Sequence, residues 1–353
     1  MLKASKKNFL KVAKQLGVFN AVGNSKWRQD RLLILGYHGV ALEDEHLWNS
    51  ELFVTASFLR RRFEILQEQG CTVLSLDDGI THLYNGTLPK RSVVITFDDG
   101  LYDFYRRALP VINEFGFPAT LYLTTFYSQY NKPVFTVAAD YLLWKARTKR
   151  LRMDFLFGSK QEFDLGIESD RRRAHSQIIG AAMSHDYSAE QKDELLAMMC
   201  SQLDIDYDEF CEKRILQLMN AEEISEISRS GIDVQLHTHR HCVPKENAMF
   251  GREIEENRRI IETLTNRNAT HFCYPSGEYD SRFLPWLRDS NVVSATTCEV
   301  ALSTPKTDPF LLPRLLDTSS LSEIEFRGWV MGASHFLPQR AAPDRVAPGE
   351  ATR

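Results

Sequence analysis

The sequence of 353 residues has neither closely spaced cysteines nor a strong excess of one charge. Its six cysteines lie far apart and include no Cys-x-x-Cys pair, so we predict free thiols and no disulfide framework. Forty-three basic residues against 47 acidic ones leave a formal charge of −4. This balance favours no nucleic-acid partner.

The sequence also lacks long hydrophobic runs. No segment approaches the roughly 20 apolar residues that a transmembrane helix requires. Residues 1–30 lack the apolar stretch and cleavage site of a secretory signal, and we therefore predict a cytoplasmic protein. This segment carries apolar residues at helical spacing with lysines between them, namely Phe9, Val12, Ala13, Leu16 and Phe19 with Lys7, Lys11 and Lys14. It is expected to be a basic amphipathic helix, either packed on its own domain or in peripheral contact with a membrane.

From residue 31 onward, short apolar runs alternate with helical segments. The predicted strands are Arg31–Tyr37, Thr72–Leu76, Ser92–Phe97, Ala119–Thr124, Asp233–Leu236, Thr270–Cys273 and Val292–Thr296. The helices predicted among them are Phe58–Gln69, Arg106–Phe115 and Glu253–Thr265. This alternation predicts an α/β fold with a mainly parallel sheet or barrel, in which functional groups collect where strands end.

Residues 31–320 are predicted to form the main domain. Within it, residues 130–222 have high charge density, helical patterns and no clear strand, which indicates a helical insertion. Residues 321–353 form a C-terminal extension. Its last part, Gln339–Arg353, is rich in alanine, proline and charge, and we expect it to be disordered.

Two acidic residues follow the strand Ser92–Phe97 directly, as Asp98-Asp99-Gly100. Adjacent carboxylates repel each other unless a cation binds one of them, which leaves the other free to act as a base. A solvated turn that caps the next helix is the simpler alternative.

A histidine cluster follows another predicted strand, Asp233–Leu236, as His237-Thr238-His239-Arg240-His241. Two histidines four residues apart face the same way over a helical turn or tight bend and can supply two nitrogen ligands to Zn²⁺ or a similar ion. His237 and His241 have this spacing, whereas His239 should point elsewhere. Two histidines and one carboxylate would leave open coordination positions, as in catalytic metal sites. A solvated histidine-rich loop is the alternative.

These motifs resemble those of the polysaccharide deacetylases, also called carbohydrate esterase family four or nodulation-protein-B-like deacetylases. Thr96-Phe97-Asp98-Asp99-Gly100 matches the first family motif, and His237-Thr238-His239-Arg240-His241 matches the second. The resemblance extends over about residues 31–320. It implies an irregular, incomplete (β/α) barrel that is interrupted here by the helical insertion, with residues 31–320 as the catalytic domain.

The resemblance also implies roles for single residues. Asp99, His237 and His241 would bind one divalent metal, with Zn²⁺ expected first and Co²⁺ or Ni²⁺ as alternatives. Asp98 would be the general base that takes the proton of the attacking water. The third motif aligns with Cys273-Tyr274-Pro275-Ser276-Gly277. The backbone N–H of Ser276 would stabilise the oxyanion.

The sequence departs from the family at two places. Cys273 occupies the position of the motif arginine that pairs with the base, so we predict that Arg314 pairs with Asp98 instead, unless it is a surface arginine. The usual late histidine that protonates the leaving amine is not evident, since only His335 follows, outside the matched span. Asp98 would then act as both base and acid, or turnover would be slow.

Three further residues are predicted to contact substrate: Tyr274, Pro275 and Trp144, although the spacing of Trp144 also suits a packed helix. The predicted activity is removal of N-acetyl groups from an amino sugar in a polysaccharide, an oligosaccharide or a glycan precursor. Cleavage of O-acetyl esters or of non-sugar amides on the same scaffold is one alternative. A catalytically silent protein that binds glycan or an assembly partner is another.

Overall fold

The computed structural model describes residues 2–157 and 161–337. Twelve strands occur within these residues: β1 Leu33–Tyr37, β2 Gly39–Val40, β3 Phe53–Val54, β4 Thr72–Leu74, β5 Ser92–Phe97, β6 Thr120–Leu123, β7 Arg150–Arg152, β8 Glu162–Asp164, β9 Asp233–Leu236, β10 His271–Cys273, β11 Ser294–Thr296 and β12 Leu315–Leu316. Strands β1, β5 and β6 are buried along their whole length. Burial on both faces explains their continuous apolar sequences.

The central sheet contains eight strands, with the order β11-β10-β9-β6-β5-β1-β12 and with β4 beside β5. All its pairings are parallel. The short segment around β12 contacts both ends of this row of strands: β12 pairs with β1, and Leu312 forms a bridge to Thr296 of β11. The sheet is therefore curved into a half-barrel, and the predicted α/β fold is confirmed.

Sixteen α-helices accompany the strands in the described residues: α1 Leu2–Gln15, α2 Val18–Gly23, α3 Lys26–Gln29, α4 Glu45–Trp48, α5 Ala56–Glu68, α6 Leu76–Asn85, α7 Leu109–Phe115, α8 Phe135–Lys145, α9 Asp154–Phe157, α10 Glu168–Ser184, α11 Ala189–Gln202, α12 Tyr207–Glu212, α13 Ala221–Arg229, α14 Asn247–Thr265, α15 Phe283–Asp289 and α16 Glu323–Val330. A π-helical turn at Phe104–Ala108 precedes α7. The predicted helix Arg106–Phe115 therefore begins within a π-helical turn, which is wider than an α-helical turn. None of the described helices combines the length and the hydropathy needed to cross a membrane.

The region predicted as a helical insertion does contain helices α8 and α10 to α12, and they pack around a second hydrophobic cluster that includes Leu142, Ile178 and Leu196. It also contains a two-stranded antiparallel pair, β7 with β8, where the sequence predicts no strand. Each of these strands has three residues, of which only the middle one, Leu151 or Phe163, is fully buried. Such short alternations give almost no periodic signal.

The two ends of the described chain lie together. Leu10 and Ala13 of α1 pack against Phe19, Met331 and Ala333. Helix α16, at the start of the predicted C-terminal extension, contributes Phe326, Trp329 and Val330 to the main core. The predicted disorder of Gln339–Arg353 concerns residues outside the described part of the chain.

Candidate metal centre

The Asp98-Asp99-Gly100 turn is held by the backbone at the C-terminal end of β5. The Asp98 amide donates to the Tyr37 carbonyl, which continues the β1–β5 ladder by one residue. Asp99 and Gly100 then take φ values of 73° and 89°. A Cβ on Gly100 would lie 2.2 Å from Cδ1 of the buried Leu123, so both the backbone conformation and the space favour glycine. The turn therefore fixes the directions of two successive carboxylates.

Asp98 is buried and paired with Arg314. Nη1 of Arg314 donates to Oδ1 at 2.7 Å and Nη2 donates to Oδ2 at 2.8 Å, which is a two-pronged ion pair. The Arg314 side chain has no exposed surface. Its Nε donates to the Thr297 carbonyl and its Nη1 also to Oγ1 of Thr96. The predicted contact between Arg314 and Asp98 is thus present, and the alternative of a surface arginine is wrong.

The electrostatic environment keeps Asp98 ionised. Burial alone would raise the pKa of its carboxyl, but the Arg314 guanidinium outweighs burial and lowers that pKa below its usual value. The Cys273 thiol lies beside the same pair, 3.0 Å from Nη2 of Arg314. Although Asp98, His237 and Cys273 also offer clustered ligand atoms, Arg314 already places a positive charge against them.

One imidazole that the predicted site does not include also reaches this carboxylate. Nε2 of His38 lies 3.6 Å from Oδ2 of Asp98, with 18% of the His38 side chain exposed. His38 follows β1, which is the neighbour of β5 in the sheet. In the sequence, His38 directly follows the predicted strand Arg31–Tyr37, a position from which its side chain could reach the cleft floor, with a buried, hydrogen-bonded histidine as the alternative.

The histidine cluster forms a tight bend after β9, not a helical turn. Thr238 and His241 have positive φ values of 60° and 55°, and the Cys242 amide donates to Oγ1 of Thr238. The bend places the rings of His237 and His241 with centroids 5.0 Å apart. The predicted juxtaposition of these two imidazoles is therefore present.

Asp99 lies between the two imidazoles. Its Oδ1 is 3.2 Å from Nε2 of His237 and 3.2 Å from Nε2 of His241. Two ligands that are each about 2.0–2.1 Å from a tetrahedral zinc ion lie roughly 3.3 Å apart, so these separations fit a shared ion. The same Oδ1 is buried without a hydrogen-bond donor among the described residues. An acceptor left in this state fits the coordination of a cation.

The pKa of Asp99 also fits a ligand role. Burial would raise the pKa of its carboxyl, but the two imidazoles outweigh burial and hold it well below its usual range. The carboxyl is thus ionised throughout the neutral range, as a metal ligand must be.

His237 is oriented by two contacts behind the site. Its Nδ1 lies 2.8 Å from the Cys273 carbonyl, and if the proton is on Nδ1, Nε2 is free to coordinate. Its backbone amide donates to Oδ1 of Asn257, and Nδ2 of Asn257 donates to the Leu123 carbonyl. Asn257 is fully buried. This residue of α14 is a positioning residue that the sequence analysis missed.

His239 points away from the pair, as predicted. Its Nδ1 contacts Oγ1 of Thr125 at 2.9 Å, and its Nε2 lies 3.7 Å from Glu256. The His239 side chain, between the two candidate ligands in sequence, thus anchors the bend.

The third-motif residues have mixed positions. Ser276 is at the exposed tip of a turn with φ 55°, three residues after the Cys273 carbonyl that contacts His237. Tyr274 is 1% exposed and its hydroxyl donates to the Phe310 carbonyl. The prediction that the Tyr274 side chain contacts substrate is wrong, because the hydroxyl is satisfied inside the core. Pro275 is also buried, which contradicts the same prediction for its ring.

Two other side chains lie away from the candidate ligands. Trp144 packs in the core of the insertion, beside Tyr141 and Arg147. These contacts match the packed-helix alternative and not the predicted substrate contact. His335 packs against Trp27 and Trp329 near the chain ends, so it is not the missing proton donor.

The tripeptide Asp-Asp-Gly occurs a second time, as Asp77-Asp78-Gly79 in the first turn of α6. Both carboxylates there are exposed, and Asp78 accepts a hydrogen bond from Ser75 at the helix start. The environment of Asp98 and Asp99 thus comes from the strand end and its neighbours, not from the tripeptide.

Fold and side chains together define a parallel half-barrel with a two-histidine, one-carboxylate cluster where its strands end. The sequence profile of the polysaccharide deacetylase family matches residues 85–152 and 186–294, which is half of the chain. The chain therefore belongs to the polysaccharide deacetylase family, and the matched residues include Asp98, Asp99, His237 and His241.

The chain is also similar to individual proteins. It is 35% identical over 95 residues to the poly-β-1,6-N-acetyl-D-glucosamine N-deacetylase of Escherichia coli K12, a match that covers 26% of this chain and 14% of that protein. The enzyme of the same name from Staphylococcus epidermidis is 30% identical over 112 residues, which cover 28% of this chain and 38% of the relative. The chain thus spans well under two-thirds of the relatives that it matches.

Two solved structures have the same fold. Streptococcus pyogenes deacetylase PplD in complex with acetate has a TM-score of 0.56 and 17% identity over 85% of this chain and 98% of that one. IcaB from Ammonifex degensii has a TM-score of 0.56 and 15% identity over 86% and 98% of the two chains. At such identities the likeness concerns the fold.

Proposed function

We propose that this protein hydrolyses N-acetyl groups on amino sugars of a glycan, with one divalent metal held by Asp99, His237 and His241. The observation that carries the proposal is the position of Oδ1 of Asp99, buried without a hydrogen-bond donor and 3.2 Å from two imidazole nitrogens. Zn²⁺ is the expected ion because two imidazoles and one carboxylate are typical of catalytic zinc. Co²⁺ and Ni²⁺ are the alternatives.

When bound, such an ion supplies Lewis acidity and lowers the pKa of water at the site. Asp98 takes the proton of the water that attacks the acetyl carbonyl carbon. Collapse of the tetrahedral adduct then breaks the C–N bond and releases acetate and the free amine. The Ser276 N–H, at an exposed turn three residues after Cys273, is proposed to donate to the developing oxyanion.

His38 is the best-placed proton donor for the leaving amine. Its Nε2 lies 3.6 Å from Oδ2 of Asp98 and 18% of its side chain is exposed, which supports a role in proton transfer to a bound substrate. Arg314 holds both oxygens of Asp98 and acts through that residue as a positioning group. In this proposal, the base, the orienting cation and the acid are three different residues.

The substrate class is proposed from the relatives. Two of them carry the name poly-β-1,6-N-acetyl-D-glucosamine N-deacetylase, so β-1,6-linked N-acetylglucosamine oligomers are the first substrates to test. Acetylated glycan precursors follow in the same assay.

The decisive experiment measures acetate release together with metal content. Wild type, Asp98→Asn and Asp99→Asn are purified, and zinc per chain is measured by elemental analysis. Asp98→Asn should retain zinc and lose at least about 100-fold in rate, because the general base is gone. Asp99→Asn should lose both zinc and activity. Asp78→Asn, in the second Asp-Asp-Gly, is the matched control and should behave as wild type.

The alternative functions predict different results in this assay. Faster release from O-acetylated than from N-acetylated versions of one sugar would make the protein an esterase. Stoichiometric zinc without acetate release from any substrate would indicate a silent glycan-binding protein. A preparation that binds no divalent metal overturns the proposal.

We also propose that α1 contacts an anionic membrane surface. Leu10 and Ala13 are buried against the domain, whereas Phe9, Val12 and Leu16 are 58%, 52% and 76% exposed. The helix therefore carries a second apolar ridge on its outer side. Exposed Lys11 and Lys14 accompany this ridge, which is the charge pattern that favours anionic lipid.

Vesicle sedimentation tests this contact. The full chain should sediment with vesicles containing anionic lipid and less with neutral ones. Replacing Phe9 and Leu16 by serine should abolish sedimentation without a change in acetate release. If this double variant sediments with anionic vesicles as much as the wild type does, the proposed membrane contact is refuted.

A further inference from the structure

A cavity of about 600 Å³ lies outside the candidate metal centre, between the loop after β6 and helices α10 and α11. Its volume falls within the range of roughly 300–1,000 Å³ typical of small-ligand sites. The walls include Phe126, Tyr127, Tyr130 and Tyr187.

The cavity is joined to the candidate metal centre by Phe126. The Phe126 amide donates to the His239 carbonyl at 2.8 Å, and the two rings meet edge to face with centroids 5.5 Å apart. Two residues earlier, the Thr124 amide donates to the Asp99 carbonyl. The loop that forms one cavity wall is therefore bonded to both parts of the proposed metal site.

Part of the opposite wall lies outside the residues that the family profile matches. Ile179, Ala182 and Met183 of α10 line the cavity, and they belong to residues 153–185, which the family profile does not match. Met183 is 74% exposed, although methionine is usually buried. Segments inside and outside the matched profile thus form the cavity together.

The lining fits an amphipathic, uncharged ligand. Aromatic rings present flat apolar surfaces, and Lys132 and Asp193 form a 2.7 Å ion pair at the wall. The charged lining residues are Lys132, Glu190, Lys192, Asp193 and Glu194. Acids outnumber lysines, which disfavours a phosphorylated ligand. Pyranose rings combine apolar C–H faces with hydroxyl groups, and these complement aromatic walls and charged side chains.

We propose that this cavity binds sugar units of the acetylated glycan that are distant from the acetyl group being removed. The inference rests on the proposed function and specifies its substrate as an extended chain. The cavity acts as a distal subsite, so oligomers that span both places react more efficiently than short ones.

The test compares kcat/KM for β-1,6-linked N-acetylglucosamine oligomers of two to six units. In the wild type, kcat/KM should rise with length. Tyr130→Ala removes an exposed ring from the cavity wall. It should lower the ratio of kcat/KM for the hexamer to that for the dimer by roughly tenfold, the loss expected for one stacking contact. Tyr84→Ala, an exposed tyrosine outside the cavity, is the control and should keep the wild-type ratio.

A binding measurement separates failure of the subsite from failure of the proposed activity. Calorimetric titration of the hexamer into Asp98→Asn protein requires no turnover. Adding Tyr130→Ala should weaken binding roughly tenfold, whereas adding Tyr84→Ala should not. Unchanged hexamer binding in the Tyr130 variant, or a length-independent kcat/KM in the wild type, overturns the subsite. Absence of acetate release from every oligomer overturns the proposed activity, and the titration still decides the subsite.

Discussion

The ion pair between Arg314 and Asp98 offers a direct test of how the site is held. Both residues are buried, and two hydrogen bonds of 2.7 and 2.8 Å join them. Arg314→Met removes the guanidinium while keeping an unbranched side chain in the space. The Asp98 carboxylate is then left buried without its guanidinium partner.

The expected loss of unfolding free energy is about 3–5 kcal/mol at neutral pH, the usual result of removing one partner of a buried pair. In the wild type, the lowered pKa of Asp98 stabilises the fold at pH values above about 4, the pKa of this carboxyl in the unfolded chain. This stabilisation is lost as pH falls through the pKa of Asp98 in the folded protein. In the variant, the guanidinium no longer opposes burial, so the pKa of Asp98 is higher than in the wild type. The difference between the two proteins should therefore shrink as pH falls towards about 4.

Urea unfolding with chelator present measures this difference at pH 7.5 and pH 5. The double variant Asp98→Asn/Arg314→Met removes the stranded charge and should recover most of the stability. Arg314→Lys keeps the charge but not the two-pronged geometry and should lie between wild type and Arg314→Met. A loss below about 1 kcal/mol in Arg314→Met, or no recovery in the double variant, would refute the reasoning.

Three further predictions concern single residues around the site. His38→Gln should lower the rate of acetate release about 100-fold or more while zinc content is unchanged; a rate within twofold of wild type would exclude His38 as the acid. Asn257→Ala should weaken zinc binding about 10–100-fold in competition with a chelator, because it frees the His237 backbone; unaltered affinity would contradict that role. Burial raises the pKa of Asp103 to about 8, so this carboxyl should destabilise the fold by roughly 1.4 kcal/mol per pH unit as pH rises from about 4 to 8. Asp103→Asn should remove that dependence, and parallel stability curves for the two proteins would disprove it.

The parts of the fold that the sequence predicted well are those fixed by local pattern. The bounds of β5 and β9 agree with the prediction at both ends. β5 is a largely apolar run and β9 alternates polar residues with Val234 and Leu236, and each strand stops at a polar cluster where the chain reaches the edge of the sheet. The positions of Asp98 and His237 follow from those strand ends.

The contacts that the sequence did not predict depend on which strands and helices become neighbours. His38 reaches Asp98 because β1 lies beside β5. Asn257 reaches His237 because α14 packs behind β9. Neither pairing is encoded in local periodicity. The error at Tyr274 has the same origin, since its hydroxyl bonds to the Phe310 carbonyl, which is distant in sequence.

Two adjacent carboxylates on one strand end have opposite surroundings, and this contrast supports different roles for them. Both Asp98 oxygens are bonded by Arg314, which comes from the segment beside β12. Oδ1 of Asp99 faces two imidazole nitrogens and has no hydrogen-bond donor among the described residues. Because separate elements hold the two groups, substitution of Arg314 should disturb the proposed base without removing a metal ligand. Metal affinity and turnover should accordingly respond to different substitutions, which distinguishes this arrangement from a single acidic patch.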